Sequence, residues 1–469
     1  MMLLASLAGF AIVTQDQAAL RAAPRDSAQQ QVALWQGDLL EVRGEKQGFL
    51  QVYDHRRERA GFVRAGQVRG SDLKPADAPG LLAVLRFVRD TPGMEALGIG
   101  YAAAYLKAAP AEAIDAEPFD ALGGMAERLA RRASGKLGRA GDATLAAHLE
   151  VAAGYGVQFA SIERDSRVQL CYDGDAYRRV LALPASEAQR ANAALALTRP
   201  DCIAPETPPT QRYALDQWRA ELLDRIDTAK LAEYQKNRIR LRRAGVWAGL
   251  AYQRSRRAEP VQAAAARALQ ELAAVNKQEL AEEDNAAYAD AAVRVGASRW
   301  AAESPVALPG KLTVATVAGQ PGETCVLLID PKIGNQAPLL KRCSWGTVWA
   351  ASASANVQGT ALALAVQPLD SWRELWIFRR GEAGWSVDVL PPAANSPDVG
   401  YIEAAGWTPD GKQLLAAREA RIDGRYKRSF ELIGLDNLDV QRWADKPESL
   451  SAFYRWQSAG WKRGTVALR

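Results

Sequence analysis

The apolar pattern of this chain changes period twice, and that change limits the folds open to it. Residues 12–70 alternate in short runs. Residues 81–300 repeat at three and four residues, and alternation returns from residue 305 to residue 469. Alternation buries one face of a strand, whereas the longer repeat buries one stripe of a helix. The expected fold is therefore multidomain: a small all-β unit, an all-α unit of helical hairpins, then a second all-β unit. A chain of 469 residues exceeds one ordinary hydrophobic core. Residues 71–80, with Pro75 and Pro79 among alternating charges, read as a linker. Ile203 to Gln211 carries Pro205, Pro208 and Pro209 and subdivides the helical region.

Within these regions Leu215, Trp218, Leu222 and Ile226 define a long amphipathic helix, and Glu259-Pro260 opens another. Ten of the thirteen tryptophans lie from Trp300 onward, among the later strands.

Leu20-Arg-Ala-Ala-Pro24, Gly37-Asp-Leu-Leu-Glu-Val42, Gly48-Phe-Leu-Gln-Val52 and Gly61-Phe-Val63 follow one another over residues 12–70. In order and spacing they resemble a bacterial SH3-like (SH3b) domain, with Phe49 and Phe62 where that family usually has Trp. The resemblance implies a small barrel that binds peptidoglycan or a peptide, with Trp35, Phe49, Tyr53 and Phe62 as candidate contacts. Leu97-Gly-Ile-Gly-Tyr101 is similar to the first-helix pattern of tetratricopeptide repeats, although no period of about 34 residues runs through the region. Gly406-Trp-Thr-Pro-Asp-Gly-Lys-Gln-Leu-Leu415 resembles the strand–turn–strand motif of TolB-like propeller blades. Leu312 to Cys343 and Trp345 to Pro391 supply further units, so three to four blades are expected.

Residues 1–11 resemble the apolar part of a secretory leader, with Gly9 and Ala11 as small residues before a cleavage point. The alternative is the first buried strand of a domain. The four cysteines contain no C-x-x-C pair. Two helical patterns separate Cys171 from Cys202, and an antiparallel helix pair brings its outer ends together. Cys325 and Cys343 flank a turn and suit opposed positions in a hairpin. Two bridges, each contributing roughly 3 kcal/mol on the loop-entropy model, point to an oxidising envelope compartment, periplasmic or secreted.

Chemistry is sparse. The chain has only two histidines, His55 and His148, so a histidine-based active site or metal centre has little to draw on. The Gly411-Lys412 segment lacks the Ser/Thr of a phosphate loop and reads as a hairpin. No cofactor and no metal are expected. Glu163/Asp165 and Asp173/Asp175 are carboxylate pairs of the type that can run glycoside cleavage, though they fit caps and loops. Arg238, Arg242, Arg243, Arg254, Arg256 and Arg257 form a basic run. Its two readings are a contact for an anionic surface and a solvated helix face, with Asp224, Asp227 and Glu233 near enough in sequence to neutralise it. A net charge of +5 over 113 charged residues does not describe a nucleic-acid binder, and no membrane span is expected.

The expected function is a non-catalytic envelope scaffold engaging a protein, peptide or peptidoglycan. One alternative is a carboxylate-dependent cell-wall hydrolase or its accessory subunit, which requires converging Asp/Glu in a cleft. A cytosolic scaffold is the third, and it requires reduced cysteines.

Overall fold

The computed structural model describes residues 9–134, 143–164, 167–304, 311–331, 338–394 and 398–465. It divides into two compact units, residues 1–208 and 209–469. Each combines strands and helices, so the helical stretch 81–300 is shared between them rather than standing alone.

The first unit opens with seven strands: β1 (Gly9–Val13), β2 (Ala18–Arg21), β3 (Gln30–Leu34), β4 (Leu39–Lys46), β5 (Phe49–Asp54), β6 (Arg59–Arg64) and β7 (Val68–Ser71). They form one antiparallel sheet in the order β3-β2-β6-β5-β4-β1-β7. Ala11, Val13, Leu20, Leu34, Leu40, Val42, Val52 and Val63 fill its inside. The expected boundary after residue 11 is corrected here. Phe10 to Ile12 pair with both β4 and β7, so a cut at Ala11 would divide a buried strand. Residues 1–8 of the leader reading lie outside the described residues. The linker shortens to residues 72–77, since β7 runs to Ser71 and the first helix begins at Ala78.

Helices α1 (Ala78–Val88), α2 (Glu95–Ala108), α3 (Glu117–Ala133) and α4 (Ala143–Gly154) follow. Next come a hairpin of β8 (Phe159–Arg164) and β9 (Arg167–Tyr172), then α5 (Asp175–Ala182) and α6 (Glu187–Leu197). The hairpin corrects the all-α expectation for this stretch. Helix α6 starts after Pro184 with a capping box: Gln189 N–H donates to Ser186 Oγ, and Ser186 N–H donates to Gln189 Oε1. Helices α5 and α6 return the chain so that Cys202 bonds Cys171, with Cα atoms 5.7 Å apart.

Ile12 and Leu73 join Leu85, Ile99, Met125 and Leu129 in the helical core, so the sheet and helices of this unit share one interior. The closest approach is at Gly37, whose φ is +91°. A Cβ there would lie 2.4 Å from Ala96 O, and Tyr155 Oη donates to Gly37 O at 2.5 Å.

The second unit holds α7 (Pro209–Asp224), α8 (Glu233–Arg256), α9 (Gln262–Ala273) and α10 (Asn285–Ser298). A three-stranded sheet of β10 (Thr313–Ala318), β11 (Thr324–Ile329) and β12 (Leu340–Ser344) follows. Cys325 and Cys343 sit directly opposite in β11 and β12 and are bonded. Two four-stranded antiparallel meanders complete the strands. The first is β13 (Thr347–Ala355), β14 (Ala361–Leu369), β15 (Trp372–Gly381) and β16 (Gly384–Leu390). The second is β17 (Gly400–Trp407), β18 (Gln413–Ile422), β19 (Arg425–Gly434) and β20 (Val440–Ala444). A short parallel pairing of β15 with β17 joins them. The β17–β18 turn is a hairpin turn, with Lys412 N–H donating to Asp410 Oδ1 at 3.1 Å. The all-β expectation for residues 305–469 needs correction at its end, where α11 (Ser451–Trp456) and α12 (Ala459–Thr465) are helical. Among the described residues no helix is long and apolar enough to cross a membrane.

Gly37→Ala is expected to destabilise the first unit by about 2–4 kcal/mol, because it adds both a left-handed backbone penalty and a clash with Ala96. Urea unfolding of the full chain measures this directly; an unchanged midpoint would contradict the packing described.

Candidate functional site

In the first unit, alternation along β5 sends Leu50 and Val52 inward. Phe49, Gln51 and Tyr53 therefore share the opposite face. Phe62 pairs with Gln51 on that face, and Arg64 with Phe49. The structure thus brings Phe49, Tyr53 and Phe62 together outside the sheet's interior. Phe49 is nonetheless buried, and the Arg64 guanidinium lies 5.5 Å from its ring centre. Tyr53 and Phe62 are half-buried. Arg43 stacks 4.2 Å from the Tyr53 ring centre, and His55 meets the same ring edge-on. Hydrogen bonds from Arg43 and then His55 hold Glu41 below the ordinary carboxylate range.

Trp35 does not join this face. It packs edge-on against His148 of α4. His148 is buried, its Nε2 lying 2.8 Å from Asp16 Oδ1 and 3.2 Å from Gln36 Nε2. Gln36 Nε2 also donates to Gly93 O at 3.0 Å. These contacts tie the β1–β2 and β3–β4 turns to the helices, so Trp35 and His148 belong to packing within the unit.

The basic run is not one patch. Arg243 is buried between Asp224 and Glu271 and donates to the carbonyls of Leu223 and Ile226. Arg238 pairs with Asp284 and Glu283. Arg257 stacks on Tyr213, 4.4 Å from the ring centre, and pairs with Glu259. Arg254 lies over Trp247, Arg256 donates to Trp345 O, and Arg242 is likewise engaged. Glu233 neutralises Lys236 and Arg240, while Asp227 pairs instead with Lys230. Helical winding spreads these charges around α8, and each meets a different neighbour.

Asp175 N–H donates to Asp173 Oδ1 and Arg179 pairs with Asp175 at the start of α5, while Glu163 lies in strand β8. Asp165, partner of Glu163, lies outside the described residues. The grouping with metal-ligand spacing, Glu323, Cys325 and Cys343, has both sulfurs in the disulfide.

A constellation not anticipated from the sequence sits where α7, α8 and α10 meet the β14–β15 turn of the second unit. Of the expected apolar stripe of α7, Leu222 and Ile226 are buried and Leu215 is half-buried. Trp218 is exposed, while Asp216 and Arg219 are buried in its stead. Asp216 accepts from Arg219 Nη1 at 2.6 Å, Arg212 Nε at 2.7 Å and Gln253 Nε2 at 2.8 Å. Burial pushes its pKa up, but the two guanidiniums and Gln253 more than offset that and hold it low.

Across Gly249 lies Asp370. A Cβ on Gly249 would be 3.5 Å from Asp370 Oδ1 and 4.0 Å from Asp216 Oδ2. Asp370 keeps 32% of its side-chain surface open to solvent. Burial nevertheless raises its pKa, with the charges of Arg212 and then Arg294 opposing. Arg294 completes the ring, pairing with Asp290 at 2.6 Å and donating to Ser371 Oγ at 3.2 Å. Tyr426 Oη donates to Asp290 at 2.6 Å. The local sequence signal was the charge spacing Arg212, Asp216, Arg219 on one helical face; nothing local marked Asp370.

No protein-family model, curated protein or solved structure matches the chain. The functional reading therefore rests on geometry.

Asp216→Asn is expected to cost about 3–5 kcal/mol, since it leaves Arg219 buried without its counter-charge. Because the folded pKa of Asp216 is depressed, its stabilisation is present above the unfolded value of about 3.9 and lost as pH falls below it. Denaturant unfolding between pH 7 and pH 2 should show a smaller acid-side loss for the variant than for the wild type.

Proposed function

We propose that this protein is a non-catalytic binding or scaffold protein of the oxidising cell envelope, periplasmic or secreted, that engages peptidoglycan or a peptide. The observation that carries the reading is the position of Tyr53 and Phe62. Both rings lie outside the filled interior of a small antiparallel sheet, on a face edged by Arg43, His55 and Glu41. Large rings kept out of a core are the usual anchors of recognition surfaces. An SH3-like domain binding through this face fits that placement. The two meanders β13–β16 and β17–β20 fit blades of a propeller-like second unit, with helices beside them.

The disulfide chemistry supports the compartment. Two sequence-local cysteine pairs stand at bonding distance, with S–S separations of 2.07 and 2.01 Å, and such bonds persist where thiols are not kept reduced. The hydrolase alternative requires two reachable carboxylates. In the Asp216/Asp370 cluster only Asp370 is reachable, because Asp216 is 2% exposed and bonded on both oxygens. That favours binding over cleavage.

Two measurements test this. Protein from its native host, alkylated without reductant, should take up no adduct, and four after reduction; adducts on the unreduced chain would overturn the envelope assignment. The double variant Tyr53→Ala/Phe62→Ala should weaken sedimentation with purified peptidoglycan, or capture of its stem peptide, by about tenfold. Unchanged retention would remove the proposed face.

A further inference from the structure

The Cys325–Cys343 bond has a carboxylate beside it. Glu323, Cys325 and Cys343 each offer one ligand atom, and the three atoms lie within 4.8 Å of one another. Among the described residues no other grouping of this kind is found. The Cys171–Cys202 pair has no such third ligand: its neighbour Asp201 is held by Arg199 and Gln169.

Strand register builds the grouping. On β11, Val326 and Leu328 enter the core shared with β14 and β15. Alternation turns Cys325 to the other face, along with Glu323 two residues before it. Cys343 stands opposite Cys325 on β12, and Val317 stands opposite it on β10. Val317 is 42% exposed, so this face meets solvent. The turn between β10 and β11 fixes the carboxylate. Glu323 N–H donates to Gln320 O at 2.8 Å, and Gln320 N–H donates to Glu323 Oε2 at 3.0 Å. Gly319 keeps the space between the ligands open, since a Cβ there would collide with Glu323 Oε2 and lie 3.0 Å from Cys325 Sγ.

Charge and softness decide what such a trio holds once its sulfurs are free. Two thiolates and a carboxylate carry three negative charges, which a divalent cation largely offsets. Calcium and magnesium take six or more oxygens, and only one carboxylate is present. Thiolate sulfur with carboxylate oxygen is a zinc donor set, with water in the fourth tetrahedral position. Two sulfurs across a tetrahedral zinc stand about 3.8 Å apart, a separation that rotation about the cysteine side chains reaches.

We infer that Cys325, Cys343 and Glu323 form a zinc site that the disulfide closes and a dithiol opens. Cys343 is half-buried and Cys325 buried, so a thiolate of the dithiol attacks Cys343 Sγ and the Cys325 sulfur leaves. The second thiol of the reductant then displaces Cys343 from the mixed disulfide. The protein bond gains two electrons, the dithiol becomes a disulfide, and its two protons pass to the two cysteines. Zn²⁺ forms two Zn–S bonds and one Zn–O bond, and those two protons go to solvent. In an oxidising compartment the sulfurs stay bonded and the site stays closed. The inference is independent of the Tyr53/Phe62 face.

The test uses the full-length chain, reduced with a phosphine, desalted without oxygen and titrated with Zn²⁺. One equivalent is expected to bind, and none to the oxidised chain. Bound Zn²⁺ should slow alkylation of Cys325 and Cys343 at least about tenfold and leave that of Cys171 and Cys202 unchanged, as read by peptide mass. Glu323→Gln keeps both thiols and the acceptor for Gln320 N–H, and should weaken Zn²⁺ binding about tenfold. Its oxidised form should keep the wild-type thermal midpoint, which separates a lost ligand from a lost fold. No uptake by the reduced chain, equal protection of all four cysteines, or undiminished affinity in Glu323→Gln overturns the inference.

Discussion

Glu403 is a buried carboxylate held by two buried guanidiniums, and the second unit is organised around it. Its Oε2 accepts from Arg373 Nη2 at 2.8 Å and Arg299 Nε at 2.9 Å, while Trp461 Nε1 donates to Oε1 at 2.8 Å. Burial pushes Arg373 down to about 10, with Glu403 opposing, so its guanidinium is charged at neutral pH. Charges are tolerated inside a protein only when paired and hydrogen-bonded, so the four elements that carry them must meet. These are the turn after α10, β15, β17 and α12. Arg373 Nη1 also donates to Gly296 O at 2.5 Å, near the C-terminal end of α10 where a cation is favoured. Helix α10 is thereby seated on the β15–β17 junction, packing Val293 and Ala297 against Val399 and Tyr401. With α10 placed, Arg294 and Asp290 reach Ser371 and Tyr426, and the polar cluster at the β14–β15 turn follows.

The first unit uses close approach rather than buried charge at its sheet–helix seam. Gly37, with no side chain, lets the β3–β4 turn touch α2, and Tyr155 and His148 supply directional contacts around it. The same seam accounts for Trp35. Its ring packs against His148 because the turn that carries it is drawn toward the helices, away from the outer face that holds Tyr53 and Phe62.

Features that depend on local spacing were legible in the chain. The pairing of Cys171 with Cys202 follows from a helical hairpin between them, and that of Cys325 with Cys343 from opposed hairpin strands. The β17–β18 turn follows from Pro-Asp-Gly. The strand at Gly9–Val13 was less so, because a short apolar run with small residues suits a leader and a buried strand equally. The hairpin β8–β9 and helices α11 and α12 are short elements whose state is set by what they pack on. Phe453 and Trp461, for example, join Phe430 in one aromatic cluster.

The sequence by itself determined the broad order of strand-rich and helix-rich regions and which cysteines pair, because both are carried by residue type and short-range spacing. Tertiary structure decided that the helical stretch belongs to two units, that the basic run of α8 is dispersed among separate partners, and that Asp370 stands beside Arg212. Charged residues far apart in the chain become neighbours only through helix rotation and strand register. Neither quantity is written in the local pattern, since a polar residue on a helix can face water or a buried partner with the same spacing.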